Sequence, residues 1–362
     1  MMDQNLMDEL VALTCDLIRI PSIADQPVQL RAVIDYAEYY IRTVPGVHVQ
    51  RGEHEGKSHL IATLRKTHNP AMIFNAHLDV VPGHSGQFVP EVRDGRIYGR
   101  GAQDMKGSGA VLLRLLKDLA ALAEPPDVGF IFVSDEEIGG ENGIGYLAQQ
   151  GWKCDFFLAA EPTDLQICFA HKGVAWIEVY LAGDPAHGSR PWEGRNAFAA
   201  LRDGLVALER CYPTPNAAAW VTTIVPTAIQ GGEASNRLPE QITLTLDIRR
   251  IPEEPITSIV AALQECFPDG VICLVRDGPP LATNPDDPHV QRFARHVAAV
   301  TGQPARYYRE HFATDARFYS DIGIPAICLG PVGAGLHSNE EWVDIASLGQ
   351  LYQILWGFAV ES

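Results

Sequence analysis

Residues 128–137 read VGFIFVSDEE, an apolar run that ends in three consecutive acids. A short apolar run rich in aromatic and β-branched residues predicts a buried strand. Asp135, Glu136 and Glu137 follow this strand directly, and carboxylates placed side by side repel one another. Ending a buried strand in this way also costs solvation. The stretch therefore predicts a buried strand with a charged site at its carboxyl end.

Apolar runs of the same kind alternate with amphipathic stretches through the first half of the chain. The spacing of apolar residues predicts helices at MDELVALTCDLIRI, QLRAVIDYAEYYIRTV and GSGAVLLRLLKDLAAL. Further strands are predicted at HLIATLRK, AMIFNAHLDVV and CDFFLAAE. This alternation predicts an α/β fold in which a mostly parallel sheet is flanked by helices on both faces.

The pattern changes near residue 172. KGVAWIEVYLAG alternates between apolar and polar residues, which is typical of a strand with one exposed face. The segments that follow have the order β-α-β-β-α-β, which predicts a small open sheet with two helices, a ferredoxin-like α+β arrangement. The α/β pattern returns after GPPLATNPDDP. We therefore expect one domain formed by residues 1–171 and 281–362, with a second domain inserted at 172–280.

Length and charge narrow the classes of function. A single core rarely exceeds roughly 250–300 residues, so a chain of 362 residues is expected to form two domains. The net charge of −17 disfavours nucleic acid and anionic membranes as partners, because both require clustered lysine and arginine. Since the sequence lacks a stretch of about 18 uncharged apolar residues and a basic leader segment, we expect no membrane span and no signal peptide.

The cysteines indicate the compartment. There are seven, an odd number, and none of them forms a C-x-x-C motif. Most have apolar neighbours, as in the stretches AICLG and QECF. These features are typical of small buried thiols in a reducing environment. Together with the missing leader, they predict a cytoplasmic protein.

Several acids and histidines lie directly beyond apolar runs or in a loop before a helix. In open α/β sheets, ligands bind in the crevice outside the carboxyl ends of the strands, so these side chains are expected to converge. Each of them taken alone is more often a solvated loop residue, and the prediction depends on their joint placement. The residues are His77, Asp79, Asp104, Glu136, Glu137, Glu161 and His337.

Acids that converge in this way require positive charge to offset their repulsion. Two histidines, one shared aspartate and two glutamates are enough ligands for two divalent cations about 3.5–4 Å apart. Mixed nitrogen and oxygen ligands favour zinc, with cobalt or manganese as alternatives, and disfavour calcium and magnesium. One glutamate of the acidic run would then bind metal while its neighbour acts as a base.

Longer motifs along the chain resemble a known family. They read NAHLDVVPG, YGRGAQDMKGSGA, VSDEEIGG, AAEPTD, AHGSRPWEGRNA, GGEASNRLPE with DIRR, ATDARF and GPVGAGLHSNEEWV. In this order they resemble the di-zinc amidohydrolases that include acetylornithine deacetylase, succinyl-diaminopimelate desuccinylase, aminoacylase and the glutamate-releasing carboxypeptidases. The resemblance covers nearly the whole chain. It implies a zinc-exopeptidase-like catalytic domain and an inserted lid domain that pairs two chains into a homodimer.

The resemblance also implies a set of metal ligands. His77, Asp104 and Glu161 would bind one zinc ion. Asp104, Glu137 and His337 would bind the other, so that Asp104 bridges the two ions. The family has a cis peptide bond after the bridging aspartate, which implies one between Asp104 and Met105 here.

Catalytic and substrate-binding roles follow from the same resemblance. Glu136 would be the general base and then the general acid, and Asp79 would accept a hydrogen bond from the metal-binding His77 and fix its tautomer. His187 would stabilise the oxyanion, reaching the site from the partner subunit in dimeric relatives. Residues that would bind the substrate or line its pocket are Asn236, Arg249 and Thr314.

Two positions depart from the family pattern. Gly188 follows the oxyanion histidine, where relatives often have serine. Glu340 and Glu341 follow His337, where relatives more often have asparagine or aspartate before the glutamate. The metal role implied for His337 does not depend on either difference.

The reaction class and the substrate are predicted with alternatives. The leading prediction is a deacylase that cleaves the amide bond of N-acyl amino acids such as acetylornithine or succinyl-diaminopimelate, and the second is a dipeptidase or carboxypeptidase acting on short peptides. A catalytically silent binding protein is a third prediction, although each position expected to bind metal or act as a base is filled. A two-metal phosphoesterase is a fourth, and the predicted base and oxyanion histidine fit amides better.

Overall fold

The described chain forms two compact units. The structure is a computed structural model, and it describes residues 3–361. Within this range the larger unit contains residues 3–169, 281–308 and 314–361, and the smaller unit contains residues 170–280 and 309–313. The division into functional domains at residues 172 and 280 stays a prediction.

The helices follow the amphipathic stretches of the sequence. They are α1 (Gln4–Ile18), α2 (Pro27–Arg42), α3 (Gly107–Ala120), α4 (Tyr146–Gln149), α5 (Ala197–Cys211), α6 (Ile256–Cys266), α7 (Pro288–Thr301), α8 (Ala316–Asp321) and α9 (Ile345–Val360). The side chain of Asp344 caps α9 by accepting a hydrogen bond from the Ser347 N–H. Among residues 3–361, no helix combines the length and the apolar character that crossing a bilayer requires.

The strands form three separate sheets. They are β1 (His48–His54), β2 (Lys57–Thr63), β3 (Met72–His77), β4 (Glu91–Arg93), β5 (Arg96–Tyr98), β6 (Val128–Val133), β7 (Phe156–Ala159), β8 (Ile167–His171), β9 (Gly173–Ala182), β10 (Thr223–Gly231), β11 (Gln241–Arg250), β12 (Gly270–Gly278), β13 (Leu281–Ala282), β14 (Tyr307–Glu310), β15 (Ala326–Cys328), β16 (Gly333–Ala334) and β17 (Trp342–Asp344). The acidic run at residues 135–137 therefore follows a strand, β6, as predicted.

The central sheet has the strand order β1-β2-β6-β3-β7-β15-β8-β13, and β14 pairs with β8. β3 is parallel to both of its neighbours, β6 and β7, and β7 is parallel to β15. β1, β2 and β8 join this centre through antiparallel pairs. The predicted α/β class is confirmed, with parallel pairing at the centre of the sheet.

Both faces of the central strands are covered. Phe74 and Phe130 pack in a hydrophobic cluster with residues of α1, α3 and α9, whereas their neighbours Ile73 and Ile131 pack in a second cluster with residues of α4 and α8. Successive residues of a strand point to opposite faces of the sheet. Every residue of β3 and β6 is buried, which explains why their sequences are almost continuously apolar.

The smaller unit is built around an antiparallel sheet with the order β10-β11-β9-β12. Along the chain its elements follow the predicted order β9-α5-β10-β11-α6-β12. Ala175, Ile177 and Val179 of β9 are buried in one cluster with residues of α5 and α6, and the residues between them are more exposed. This confirms the predicted small α+β fold, while its roles as a lid and in dimerisation stay predictions.

A third, small sheet lies in the larger unit and has the order β16-β17-β5-β4. Its strands have only two or three residues each, which is too short for an alternating pattern to be visible in the sequence. Trp342 pairs with Tyr98, so this sheet joins the segment before α3 to the segment before α9. Both segments carry residues of the site described next.

Candidate active site

Three neighbouring strands of the central sheet end beside one another. β3 ends at His77, and its parallel neighbours β6 and β7 end at Val133 and Ala159. The acidic run containing Glu136 follows β6, and Glu161 comes two residues after β7. Because parallel strands end at the same edge of a sheet, these side chains meet in the crevice at that edge.

Two loops complete the site. Asp104 lies in the segment Ala102–Lys106 that leads into α3, and the peptide bond between Asp104 and Met105 is cis, as the resemblance implied. His337 lies between β16 and β17 and has a positive φ of 58°. Neither residue lies at the end of a strand of the central sheet, so each depends on the conformation of its loop to reach the site.

The first group of side chains that could hold a metal ion comprises His77, Asp104 and Glu161. His77 Nε2 lies 3.0 Å from Asp104 Oδ1 and 3.8 Å from Glu161 Oε2. One ligand atom from each residue lies within 4.8 Å of the others. His77 and Glu161 are buried, so little water would compete with them for a bound ion.

The second group comprises Asp104, Glu137 and His337. His337 Nε2 lies 3.2 Å from Asp104 Oδ2 and 3.5 Å from Glu137 Oε2. Asp104 thus belongs to both groups, and its two carboxylate oxygens face different histidines, His77 and His337. This is the arrangement that a carboxylate bridging two cations requires.

Glu136 lies beside the two groups without belonging to either. Its Oε2 atom is 3.9 Å from His77 Nε2. Glu136 begins the short 3₁₀ turn Glu136–Ile138, which also contains Glu137 of the second group. The carboxylate of Glu136 therefore lies beside the two groups, and its role as a base stays a prediction.

Burial and hydrogen bonding have opposing effects on the pKa values of the crowded carboxyl groups. Burial, together with the charge of Glu161, raises the pKa of Glu136 well above its usual value. Burial also acts on Asp104, but hydrogen bonds from His337 and His77 outweigh it and hold the pKa of Asp104 well below its usual range. Hydrogen bonding to Asp104 raises the pKa of His337 to about 10. The carboxylates therefore require neighbouring positive charge, which divalent cations can supply.

The donor set also fits metal ions at the level of single atoms. Glu161 Oε1 is buried, and among the described residues no group donates a hydrogen bond to it. A buried carboxylate oxygen without a donor is costly unless a cation binds it. Two imidazoles with three carboxylates, one of them shared, match the mixed nitrogen and oxygen ligands that zinc and similar ions accept.

Asp79 is buried at the centre of the site, and its carboxylate has a role that the sequence did not reveal. Asp79 Oδ1 accepts a hydrogen bond from the Glu136 N–H at 3.3 Å, and Oδ2 accepts one from the Glu137 N–H at 3.0 Å. His77 Nδ1 lies 3.0 Å from the backbone oxygen of Asp79 and 3.7 Å from its carboxylate. Asp79 thus holds the acidic turn, and its orienting effect on His77 stays a prediction.

Further polar groups hold the loop that carries the acids. Asp135 Oδ2 accepts hydrogen bonds from the N–H groups of Asn142 and Gly143, each at 2.9 Å. Arg317 donates to the backbone oxygens of Thr314 and Gly139. In the ATDARF motif the sequence predicts a role only for Thr314, and the structure shows that Arg317 connects the motif to this loop.

Thr314 itself is buried in the larger unit. Its hydroxyl lies 3.2 Å from Cys328 Sγ, and it interacts with the Ala316 N–H at 3.3 Å. These contacts place Thr314 at the start of α8, close in sequence to the arginine that holds the acidic loop. Its contribution to a substrate pocket stays a prediction.

The other predicted residues lie in the smaller unit. The backbone N–H of Gly188 donates a hydrogen bond to the backbone oxygen of Asn236 at 2.7 Å. The segments that carry His187 and Asn236 are therefore neighbours. A Cβ atom at Gly188 would lie 3.2 Å from that same oxygen, which accounts locally for glycine at this departure from the family. The exposed imidazole of His187 accepts a hydrogen bond at Nδ1 from the Ser189 N–H at 3.2 Å.

Arg249 is paired within the same unit. Its Nε and Nη2 atoms donate to the two carboxylate oxygens of Asp247 at 2.8 and 3.2 Å. Asp247 also accepts a hydrogen bond from Trp176 Nε1 at 3.1 Å. The guanidinium group is therefore held on one face of the β9-β11 pair, and substrate binding by Arg249 stays a prediction.

Comparisons with known proteins agree with this geometry. The family model described as peptidase family M20/M25/M40 matches residues 73–361. A succinyl-diaminopimelate desuccinylase from Xylella fastidiosa (strain M12) is 29% identical, covering 96% of this chain and 98% of that protein. Aminopeptidase PepT from Bacillus cereus ATCC 10987 has a similar structure, with a TM-score of 0.79, 19% identity and coverage of 98% of both chains.

A further solved structure has a similar fold. The Bacillus subtilis protein YXEP, described as a dinuclear metal-binding peptidase of the M20 family, matches with a TM-score of 0.75 and 15% identity, covering 99% of this chain and 98% of that one. The family match spans both groups of side chains that could hold a metal ion. The chain therefore belongs to peptidase family M20/M25/M40 and is a metal-dependent amidohydrolase.

Proposed function

We propose that the protein hydrolyses the amide bond of N-acyl amino acids, with N-succinyl-diaminopimelate and N-acetylornithine as the leading substrate types. The observation that carries the proposal is the pair of ligand groups that share Asp104, with Glu136 beside them. The likeness to desuccinylases across 96% of the chain supports the substrate class.

The proposed ligands are His77, Asp104 and Glu161 for one ion and Asp104, Glu137 and His337 for the other. We propose zinc, with cobalt or manganese as alternatives. Two such ions would polarise the substrate carbonyl and activate water for attack. The shared carboxylate of Asp104 would keep the ions close enough to act on one carbonyl group.

In this proposal Glu136 moves the proton. Its carboxylate would take a proton from the attacking water and return it to the nitrogen of the leaving amine. One observation supports the role: Glu136 lies outside both ligand groups, with its Oε2 atom 3.9 Å from Nε2 of the proposed ligand His77. Asp79 supports the step by fixing the backbone of the turn that begins at Glu136.

We assign oxyanion stabilisation to His187 of the partner subunit in a homodimer formed through the smaller unit. The supporting observation is the Ser189 N–H, which donates to Nδ1 of His187. When Nδ1 accepts a hydrogen bond, the proton of a neutral imidazole resides on Nε2. Nε2 is then a hydrogen-bond donor, which an oxyanion requires.

Arg249 would anchor an anionic group of the substrate, and Asn236 and Thr314 would contribute polar contacts. Asp247 holds the guanidinium group in a bidentate pair, which limits its motion before a ligand arrives. Burial and the nearby charge of Arg249 lower the pKa of Lys172. Arg249 and Lys172 together carry one more charge than the paired Asp247, which supports an anionic substrate in a chain of net charge −17.

A cytoplasmic location completes the proposal. Among residues 3–361 the cysteines form no disulfide: Cys211 and Cys273 are exposed, and the buried ones are Cys15, Cys154, Cys168, Cys266 and Cys328. Free thiols on the surface are more compatible with a reducing compartment than with an oxidising one.

The proposed function is tested with purified protein loaded with zinc or cobalt. The panel holds N-succinyl-diaminopimelate, N-acetylornithine, simple N-acetyl amino acids, dipeptides and a phosphoester. We expect the highest kcat/KM on an anionic N-acyl amino acid. Preference for dipeptides would support the second prediction, a dipeptidase or carboxypeptidase. Loss of all hydrolysis together with undetectable metal binding would support a binding protein.

A further inference from the structure

The buried side chain of Glu341 lies against the loop that carries Asp104. Oε2 of Glu341 accepts hydrogen bonds from Arg100 Nη1 at 2.6 Å and from the Gly101 N–H at 3.0 Å. Oε1 accepts from the N–H groups of Gln103 and Asp104, at 3.0 and 3.2 Å. Only 2% of the residue is exposed, so water contributes little to these interactions. One carboxylate therefore organises four donors from a single loop.

The shape of that loop explains why it requires a carboxylate. Gly101 has a φ of 82°, and Asp104 has φ −118° and ψ 93°, so the segment before α3 is not a regular helix. Its N–H groups consequently lack helical partners and converge on one point, as in an anion-binding nest. A neutral acceptor could satisfy fewer of them and would leave the Arg100 charge buried beside it.

Glu341 also belongs to the loop that carries His337. Its backbone oxygen accepts a hydrogen bond from the Gly99 N–H at 3.1 Å, and the next residue, Trp342, pairs with Tyr98. The two loops are thus fastened to each other by backbone pairing and by the buried side chain. At the far end of this connection, His337 Nε2 lies 3.2 Å from Asp104 Oδ2.

We propose that Glu341 is a positioning residue that sets the spacing between Asp104 and His337 and thereby the affinity of the site for its metal ions. The inference rests on the proposed function, in which Asp104 and His337 are metal ligands. Glu341 belongs to neither group of proposed ligands and would act through the loop of Asp104. Residues that hold metal ligands in place typically contribute about 10- to 100-fold to metal affinity.

A purely structural role makes a different prediction. If Glu341 only stabilised the fold, its replacement would lower the melting temperature and leave the metal affinity of the folded fraction unchanged. If it positions Asp104, the affinity of the folded protein falls, and the visible absorption bands of bound Co²⁺ change because the geometry around the ion changes. The two roles are therefore separated by measuring binding and stability on the same sample.

The experiment compares Glu341→Gln with Glu340→Gln in the chain of 362 residues. In Glu341→Gln the amide NH₂ group would direct its hydrogens at two of the four donors. Glu340→Gln is the matched control, because Glu340 is the neighbouring residue and is exposed. Co²⁺ is titrated into chelator-treated protein and followed by visible absorption, with circular dichroism as the measure of folding. We expect affinity to fall about 10- to 100-fold in Glu341→Gln and to stay at the wild-type value in Glu340→Gln.

Activity supplies a second readout. In Glu341→Gln, excess Co²⁺ should restore most of the lost kcat, because the base and the ligands themselves are intact. Asp104→Asn, which removes a ligand charge directly, should not be restored in the same way. Wild-type Co²⁺ affinity in folded Glu341→Gln protein would overturn the inference about Glu341.

Failure of the proposed function looks different. In that case the wild-type protein itself would show no Co²⁺ absorption bands and no hydrolysis, whatever the behaviour of the variants. Should Glu341→Gln not fold, Glu341→Asp serves instead, since it keeps the charge opposite Arg100 and shortens the side chain by one methylene group. We expect weakened Co²⁺ binding in that variant as well, and unchanged binding would again overturn the inference.

Discussion

The residues of the site are of two kinds: those that would bind metal, and those that hold the metal-binding loops in place. Asp104 is contacted by His77 and His337 through different oxygens, while its backbone N–H is held by Glu341. Asp79 likewise holds the backbone of Glu136. The proposed chemistry thus depends on two sets of carboxylates. One set would bind the metal ions, and the other is buried and accepts hydrogen bonds from the backbone of the site.

Glu136→Ala should retain metal and lose turnover. The residue lies outside both ligand groups, so its removal leaves the donor set intact while removing the proton carrier. We expect kcat to fall about 10²- to 10⁴-fold, with the metal content measured by mass spectrometry unchanged. Turnover close to that of the wild-type protein would disprove the assignment of Glu136 as the base.

Arg249→Lys should weaken hydrolysis of anionic substrates selectively. Lysine keeps the positive charge but lacks the planar guanidinium group, which pairs with Asp247 through Nε and Nη2 and leaves Nη1 to bind an anion. We expect kcat/KM for N-succinyl and N-acetyl amino acids to fall about 10- to 100-fold. The matched control is an N-acetyl amino acid amide, in which a neutral group replaces the α-carboxylate. An equal loss for both substrates would exclude Arg249 as the anion anchor.

At the scale of elements, the turn after β6 is the part of the fold on which the proposed chemistry depends most. It is held by Asp79 from one side and by Arg317 from another, and its glycines allow close approach of neighbouring groups. Gly139 and Gly140 both have positive φ values, 117° and 68°. We therefore expect the conformation of the turn to be disturbed by a side chain at these glycines, although neither glycine is a proposed ligand.

Gly140→Ala and Gly151→Ala form a matched pair for this sensitivity. Both glycines have positive φ, 68° and 86°, so each alanine costs about 1–2 kcal/mol in backbone strain. A Cβ atom at Gly140 would also overlap Asp315 Oδ1, whereas at Gly151 it would meet nothing within 4 Å. We expect Gly140→Ala to be the less stable in urea denaturation and to lose activity at a temperature where Gly151→Ala remains active. Equal effects of the two substitutions would contradict this account of the turn.

The sequence predicted the long elements and the residues at strand ends because apolar runs and motifs mark them directly. β3 with His77 and β6 with its acidic run are examples. It did not reveal the small sheet containing β5 and β17, whose strands are too short to show a period. It also did not reveal what the side chain of Glu341 does, because that depends on a contact between positions 237 to 241 residues apart.

At the scale of the whole molecule, the proposal combines two units and two subunits. The larger unit contains the proposed metal ligands and base, and the smaller unit contains His187, Asn236 and Arg249. The proposed oxyanion histidine would come from the partner's smaller unit. Activity would then require the dimer, and inactive variants affected in different units should complement each other.

Mixing Glu136→Ala and His187→Ala subunits tests this directly. If His187 acts in the partner's site, a mixed dimer contains one site with both defects and one intact site. Random pairing of subunits should then restore about a quarter of wild-type activity per subunit. Each variant refolded alone is the control. No recovery, with mixed dimers verified by mass spectrometry, would mean that His187 acts within its own chain or not at all.

The central claim is that Asp104 bridges two metal ions, and anomalous diffraction at the zinc edge from zinc-loaded crystals tests it most directly. The account predicts two anomalous peaks about 3.5–4 Å apart. One ion would be bound by His77 and Glu161, the other by Glu137 and His337, and Asp104 would bind both. Peaks bound to other residues, or two ions of which only one contacts Asp104, would contradict it.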